Sequence, residues 1–235
     1  MRNLLYIVSL LLLIPLLAGC SGKSRQHFAE QQITERAPSL IGPAESYSTH
    51  VSGLSSRHVD TVKIVGVGVK PDPNLVIDPL ELTISDVSFQ QDPFRVLSIG
   101  NTQFSARISE SALNNYIRQQ SHPGTGITSN EHVELLDKRA KVTATVNATG
   151  LVNVPVSTTG RIVAEDGLRL IYVPETLVLG NVAIPRIVQV LIAGRINPLA
   201  DLSGLRFQPR ITNIGIRPGE LLINGTANLR DLTQQ

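Results

Sequence analysis

The chain carries five histidines, a single cysteine and scattered serines and carboxylates, and their spacing decides which chemistries are open to it. His27, His50, His58, His122 and His132 lie far apart, with no His-x-x-x-His pair and no second cysteine, so the close ligand set of a zinc site is not encoded locally. Ser111 and Ser157 lack the Gly-x-Ser-x-Gly elbow that exposes a hydrolase nucleophile. Val65-Gly66-Val67-Gly68-Val69 lacks the third glycine of a dinucleotide fingerprint and reads instead as a bulge or close packing within a strand. Glu165-Asp166 and Asp78 are carboxylates of the solvated turn kind and need not form an acid–base pair. With no assembled set of catalytic roles, the expectation is a protein that is not an enzyme and uses neither metal nor cofactor.

Cys20 is the exception, because of where it falls. Met1-Arg2-Asn3 is followed by the uncharged run from Leu4 to Leu17, and the run closes on Leu17-Ala18-Gly19-Cys20. At 14 residues the apolar stretch is shorter than the ~20 that a spanning helix needs, so it reads as a removable export signal. Small residues before a cysteine resemble the bacterial lipobox. That likeness implies cleavage before Cys20 and acyl chains on its sulfur and new amino terminus. Two chains at ~0.8 kcal/mol per buried methylene anchor a protein stably. A lone thiol also excludes an internal disulfide, so the exported domain must hold itself together by packing. The expected location is the cell envelope, on the non-cytoplasmic side of a membrane.

Removal of residues 1–19 takes away only Arg2 among the charged groups and leaves 20 Lys+Arg against 19 Asp+Glu in 216 residues. A near-neutral chain with five Phe, four Tyr and no Trp offers neither the basic face nor the stacking platforms of a nucleic-acid binder. Its apolar residues are mainly Val, Ile and Leu, which favours strands over a helical bundle.

The elements follow from periodicity. Residues 20–43 read as a lipidated terminus and flexible tether, with a short helix over Phe28–Arg36 that Pro38 would stop. Residues 44–235 read as one domain. Between Arg139 and Ala148 the even positions are Ala or Val and the odd ones polar, a strand with one dry face. Similar patterns predict strands over Glu45–Val51, Val59–Lys70, Val76–Phe89, Phe94–Arg107, Val133–Leu136, Leu151–Ala164, Gly167–Leu179, Arg210–Arg217 and Glu220–Arg230. Asp166-Gly167 and Pro218-Gly219 mark hairpin turns. Two segments predict helices: Glu110–Gln120, capped by Ser109, and Ile184–Ile196, with Pro185 in its first turn. The second is apolar all round in its middle, which calls for cover on most sides by a curved sheet.

The ordered fragments Ile108-Ser109-Glu110-Ser111-Ala112-Leu113-Asn114-Asn115-Tyr116-Ile117, Val154-Pro155-Val156, Ile184-Pro185, Ile196-Asn197-Pro198-Leu199-Ala200-Asp201-Leu202 and Ile214-Gly215-Ile216-Arg217-Pro218-Gly219-Glu220-Leu221 resemble the LmeA-like family of bacterial envelope proteins. The likeness runs roughly from Ala44 to Leu229. It implies an α+β fold in which a long, strongly twisted antiparallel sheet wraps one or two helices, tubular like the bactericidal permeability-increasing protein. It also implies a cavity for phospholipid acyl chains. A lipobox departs from family members that are simply secreted, and puts free diffusion between membranes in doubt. Periodicity, not a family motif, selects the expected lining: Leu113, Ile117, Val142, Ala144, Val146, Val154, Val156, Leu170, Leu177, Leu179, Ile187 and Leu191. The partner expected is phospholipid or a related envelope lipid, at a membrane and without nucleic acid, and the chain would act as carrier or sensor. The competing expectations are an assembly lipoprotein with a filled core that docks a protein, and an envelope enzyme.

Overall fold

The structure is a computed structural model that describes residues 22–91, 94–120, 128–147, 153–179, 182–183 and 186–229. Cys20 lies outside the described residues. Of the expected lining, Leu177, Leu179, Ile187 and Leu191 have a described backbone only.

The first element is a helix, α1 (Gly22–Leu40), followed by β1 (Ser46–Ser52), β2 (His58–Val67), β3 (Val69–Asp72), β4 (Leu75–Ile77), β5 (Leu80–Gln91), β6 (Phe94–Ser98) and β7 (Thr102–Ser109). Helix α2 (Glu110–Gln120) leads into β8 (Thr128–Leu135), β9 (Ala140–Asn147), β10 (Asn153–Glu165), β11 (Arg169–Leu179) and β12 (Val182–Ala183). Helix α3 (Arg186–Ile196), β13 (Ala200–Asp201), β14 (Pro209–Arg217) and β15 (Glu220–Ala227) complete the chain. One seven-stranded sheet has the order β1-β2-β5-β7-β15-β14, with β6 on the end of β5. A six-stranded sheet has the order β12-β11-β10-β9-β8, with β13 on β11, and β3-β4 form a small ladder of their own. All pairings are antiparallel and one sheet is strongly curled, so the α+β twisted-sheet expectation holds.

The sheets join end to side. Turns at one end of the six-stranded sheet bond to the β14–β15 hairpin: Ile211 N–H to the Gly167 carbonyl at 2.8 Å, Lys138 N–H to Ile216 at 3.1 Å, and Gly219 N–H to Leu135 at 3.2 Å. Alternation then drives both inner faces into one continuous apolar core, which includes Leu82 and Ile108 of the first sheet and Val133 and Val142 of the second.

Several boundaries differ from the periodic pattern for local reasons. The run Val59–Lys70 breaks at Gly68, whose φ of +62° is left-handed and turns the chain between β2 and β3. Val76–Phe89 divides at Asp78-Pro79, where proline has no N–H to give a ladder. Phe94–Arg107 divides at residues 99–101, where Gly100 donates to the carbonyl of Ser85 at 3.1 Å. Strand β8 starts five residues earlier than expected, because a bulge between Ser129 and His132 interrupts its alternation. Helix α2 and the hairpin at Asp166-Gly167 fall where expected, the latter with positive φ at both residues, as a tight right-twisting hairpin requires.

The largest correction concerns residues 22–40, expected as a flexible tether holding a short helix over Phe28–Arg36; that helix is present but longer at both ends. The residues form a continuous helix of 19 residues that contains Pro38 in its last turn. A proline so near the end costs one intrahelical bond, and the helix recovers at once, with Ile41 N–H on the Ala37 carbonyl at 2.8 Å. Ala29, Ile33, Ala37, Leu40 and Ile41 make a buried stripe at helical spacing. At about 1.5–3 kcal/mol for each large side chain, that stripe outweighs the proline.

Open sheet edges leave backbone groups unpaired, and helix-borne side chains close them here. At Val51 on β1, the N–H donates to Glu30 Oε1 at 2.9 Å and the carbonyl accepts from Gln26 Nε2 at 2.7 Å. At Val133 on β8, Asn114 of α2 accepts from the N–H at 2.8 Å and donates to the carbonyl at 2.7 Å, while Glu110 takes the Leu135 N–H at 2.7 Å. At Tyr172 on β11, Asn197 makes the same pair at 2.7 and 3.0 Å. At each of Val51, Val133 and Tyr172 the edge residue thus meets one acceptor and one donor, as it would on a neighbouring strand.

Two outcomes follow. Asn114→Ala strands a buried N–H and a buried carbonyl, and lowers unfolding stability by about 2–4 kcal/mol in a urea titration; a loss below ~0.5 kcal/mol would contradict the pairing. Burial tends to raise the Glu30 carboxyl, but the Val51 N–H, the Gln26 amide, and His50 and His27 outweigh it and hold the group below its ordinary value of 4.5. A depressed folded value stabilises above the unfolded one and is lost as pH falls through the folded one. Protection of the α1 amides, taken relative to their intrinsic exchange rates, therefore falls below pH 4.5 in the wild type, and Glu30→Gln removes that pH dependence.

Candidate functional site

Strands β9 and β10 put small side chains on the inner face of the curled six-stranded sheet. Their register sets Val154 beside Val146, Val156 beside Ala144, Thr158 beside Val142 and Gly160 beside Ala140. Strand β8 adds Val133 beside Val142 and Leu135 beside Ala140. The result is a trough floored by Ala, Val, Gly and one Thr, where short side chains leave the sheet accessible to a covering element. Val142, Ala144 and Val146 are all buried, at 0%, 4% and 9% exposure.

Helix α3 covers this floor, packing on β11 and on β8, which lie at opposite sides of the sheet. Ile192 and Ile196 turn inward and are 0% and 2% exposed. Among the described residues of α3, Val190 is 62% exposed and Gly194 is exposed too, on the side away from Ile192 and Ile196. The last turn of α3 is held at both flanks. Asn197 grips β11 at Tyr172, and Arg195 Nε lies 3.6 Å from Glu131 Oε1 on β8.

Polar groups in this region are few and specific. Thr158 is 1% exposed and accepts from the Tyr172 hydroxyl at 3.2 Å. Burial pushes the Tyr172 hydroxyl up to about 12, against the opposing Thr158 hydrogen bond and with a small push from Glu175, so it stays a neutral donor. Glu131 brings a carboxylate whose side chain is 6% exposed. The other charges of this sheet sit on its outer face, as in Glu134–Lys141 at 3.2 Å and Arg139–Glu175 at 3.3 Å.

The expected lining residues therefore separate into groups. Val142, Ala144, Val146, Val154 and Val156 share one continuous surface beneath α3. Leu170 is buried at the closed end, paired with Ala200. Leu113 and Ile117 are buried on α2, which packs at the junction against β4, β7 and β8. All of the described ones belong to the core or pack on it, a burial shared by a filled core and by the wall of an occupied cavity. Periodicity missed Thr158, Tyr172, Glu131 and Arg195. Thr158 shares the parity of Val156 and was legible in principle, whereas the bulge in β8 resets the parity that would have placed Glu131 inside.

A separate groove of about 300 Å³ lies on the wet face of the first sheet, lined by Thr83, Gln103, Ser105, Asn224 and Thr226, with Glu81 ion-paired to Lys63 at 2.8 Å. Its polar lining does not suit acyl chains. His27 and His50 flank Glu30, His58 pairs with Asp60, and His122 lies outside the described residues. Among the described residues no helix is long and apolar enough to cross a membrane.

A curled antiparallel sheet floored with small apolar side chains under a greasy helix defines an α+β protein of the twisted-sheet, helix-wrapping class. The family model described as LmeA-like phospholipid-binding matches residues 27–226, and the chain belongs to that family. No curated protein and no solved structure matches it.

The close approach of β10 and β11 supplies a test of the trough's construction. A Cβ on Gly160 would lie 2.2 Å from the Val173 carbonyl oxygen, which is backbone and cannot swing away. Gly160→Ala is expected to cost about 2 kcal/mol or more and to lower the thermal midpoint by several degrees.

Proposed function

We propose that this chain is an envelope lipoprotein, cut before Cys20 and held to a membrane by acyl chains on that residue, which binds phospholipid acyl chains in the trough beneath α3 as a carrier or sensor. The observation that carries the reading is the membership in a phospholipid-binding family together with the small-residue apolar floor at Val142, Ala144, Val146, Val154 and Val156. Burial of ten methylenes is worth ~8 kcal/mol relative to water and close to nothing relative to a bilayer. Exchange with a membrane is then cheap, and passage through water is the step the protein avoids. Helix α1 suits the anchored arrangement, because Gly22, its first described residue, stands only two positions after Cys20.

The assembly reading, a filled core that docks a protein, is favoured by the burial of every described lining residue but Val154. The two separate in one experiment. The chain from residue 20 onward with Cys20→Ala, which retains every described residue, is purified and examined by native mass spectrometry, then offered a fluorescent phospholipid in vesicles. Stoichiometric phospholipid and saturable uptake are expected, and Ala144→Phe should abolish uptake while leaving the fold intact. Recovery of empty protein that takes up no probe would support the filled core. For the anchor, a clickable fatty acid should label the wild type in cells and fail to label Cys20→Ser.

A further inference from the structure

We infer that Arg195 is the receptor for the phosphodiester of a bound lipid, with Glu131 as the counter-ion it holds when the lipid is absent. This rests on the lipid-binding reading above and adds the chemistry of the headgroup to it.

The argument starts from placement. Helix α3 is uncharged from Ile187 to Gly194, and Arg195 is the cation in its last turn. Arg195 is only 24% exposed, and it reaches the seam where α3 meets β8. Its partner reaches that seam through an irregularity. Asn130 has φ of +56°, the register of β8 slips between Ser129 and His132, and Glu131 is thereby turned to the covered side while His132 faces solvent. By register the slip lies beside Ala144, between the partners of Thr145 and Thr143. An acid and a base are thus brought together beside the apolar floor, where a charge is costly unless compensated.

A phospholipid entering the trough poses the same problem in reverse: its chains want the floor, and its phosphate must find a cation before it leaves water. Guanidinium meets phosphate with paired, charge-assisted hydrogen bonds, in the geometry it uses for carboxylates. The carboxylate is the easier group to release, since Ser129 and Asn130 beside it are exposed and Glu131 can turn toward water. The exchange conserves the number of ion pairs: Arg195 gives up a carboxylate and takes a phosphodiester, while Glu131 regains its hydration. Chains alone would not discriminate between lipids, so Arg195 makes the site selective for phosphate-bearing lipids over neutral diacyl lipids.

The test compares dioleoyl phosphatidylglycerol with dioleoylglycerol, each in phosphatidylcholine-free carrier vesicles, using the chain from residue 20 with Cys20→Ala. The wild type should retain the phospholipid about tenfold or more over the diacylglycerol. Arg195→Met should erase that preference, bringing phospholipid uptake down to the diacylglycerol level. Arg195→Lys should restore part of it, and Glu131→Gln, which removes the competing charge, should raise phospholipid uptake several-fold. Inorganic phosphate at millimolar concentration should not displace the lipid; displacement would assign the cation to free anions instead. Equal loss of both lipids in Arg195→Met, or a Glu131→Gln protein with unchanged uptake, would reduce the pair to a strut for α3 and overturn the assignment. A wild type that takes up both lipids equally overturns it as well, whereas one that takes up neither overturns the lipid-binding reading itself.

Discussion

Two open sheets cannot end in a protein interior or at its surface without leaving rows of amide and carbonyl groups, and the architecture here depends on how those rows are closed. At Val51, Val133 and Tyr172 side chains on or beside a helix supply one acceptor and one donor to a single edge residue, Glu30 with Gln26 at the first and one asparagine at each of the others. This fixes more than hydrogen-bond count. It sets the height and rotation of α1 on β1, of α2 on β8, and of the end of α3 on β11, because a two-point grip tolerates little sliding. Covering an edge also blocks its pairing with another chain, which is the usual hazard of such sheets.

The same constraint organises the trough. A flat sheet carrying Ala140, Ala144 and Gly160 in its centre would leave a shallow hollow, whereas a curled one brings β8 and β11 toward the same helix. The bulge opposite Thr159 and Gly160 contributes to that curl by giving β11 an extra residue, and Glu175 turns outward there to meet Arg139 and Arg161. Charges are kept on the convex side and small apolar groups on the concave side. The exceptions are the seam residues Glu131 and Arg195, which lie where cover and floor meet.

Much of this was legible in the sequence, and what was not has physical causes. Alternation in β9 and in β15 and helical spacing in α2 report burial directly, so those elements fell where expected. Long alternating runs such as Val59–Lys70 could not reveal their own interruptions, because Gly68 breaks the backbone without disturbing the pattern of side chains around it. Residues 22–40 were legible as helix only over Phe28–Arg36, because their apolar stripe is thin, with alanine at positions 29 and 37, and because Pro38 reads as a stop. In the trough the apolar positions announced themselves. The polar ones did not, since a bulged strand carries its carboxylate inward out of phase with the alternation that sequence reading relies on.

Helix α1 carries one more implication. The glycine that opens it stands two positions after Cys20, and two extended residues span no more than about 7 Å. With Cys20 acylated as proposed, the folded body would have a leash rather than a stalk: it would pivot on the lipid surface without rising from it. Its choice of lipid would then be drawn from the leaflet underneath or from whatever the tip of the molecule touches, and the arc it sweeps would become part of its specificity.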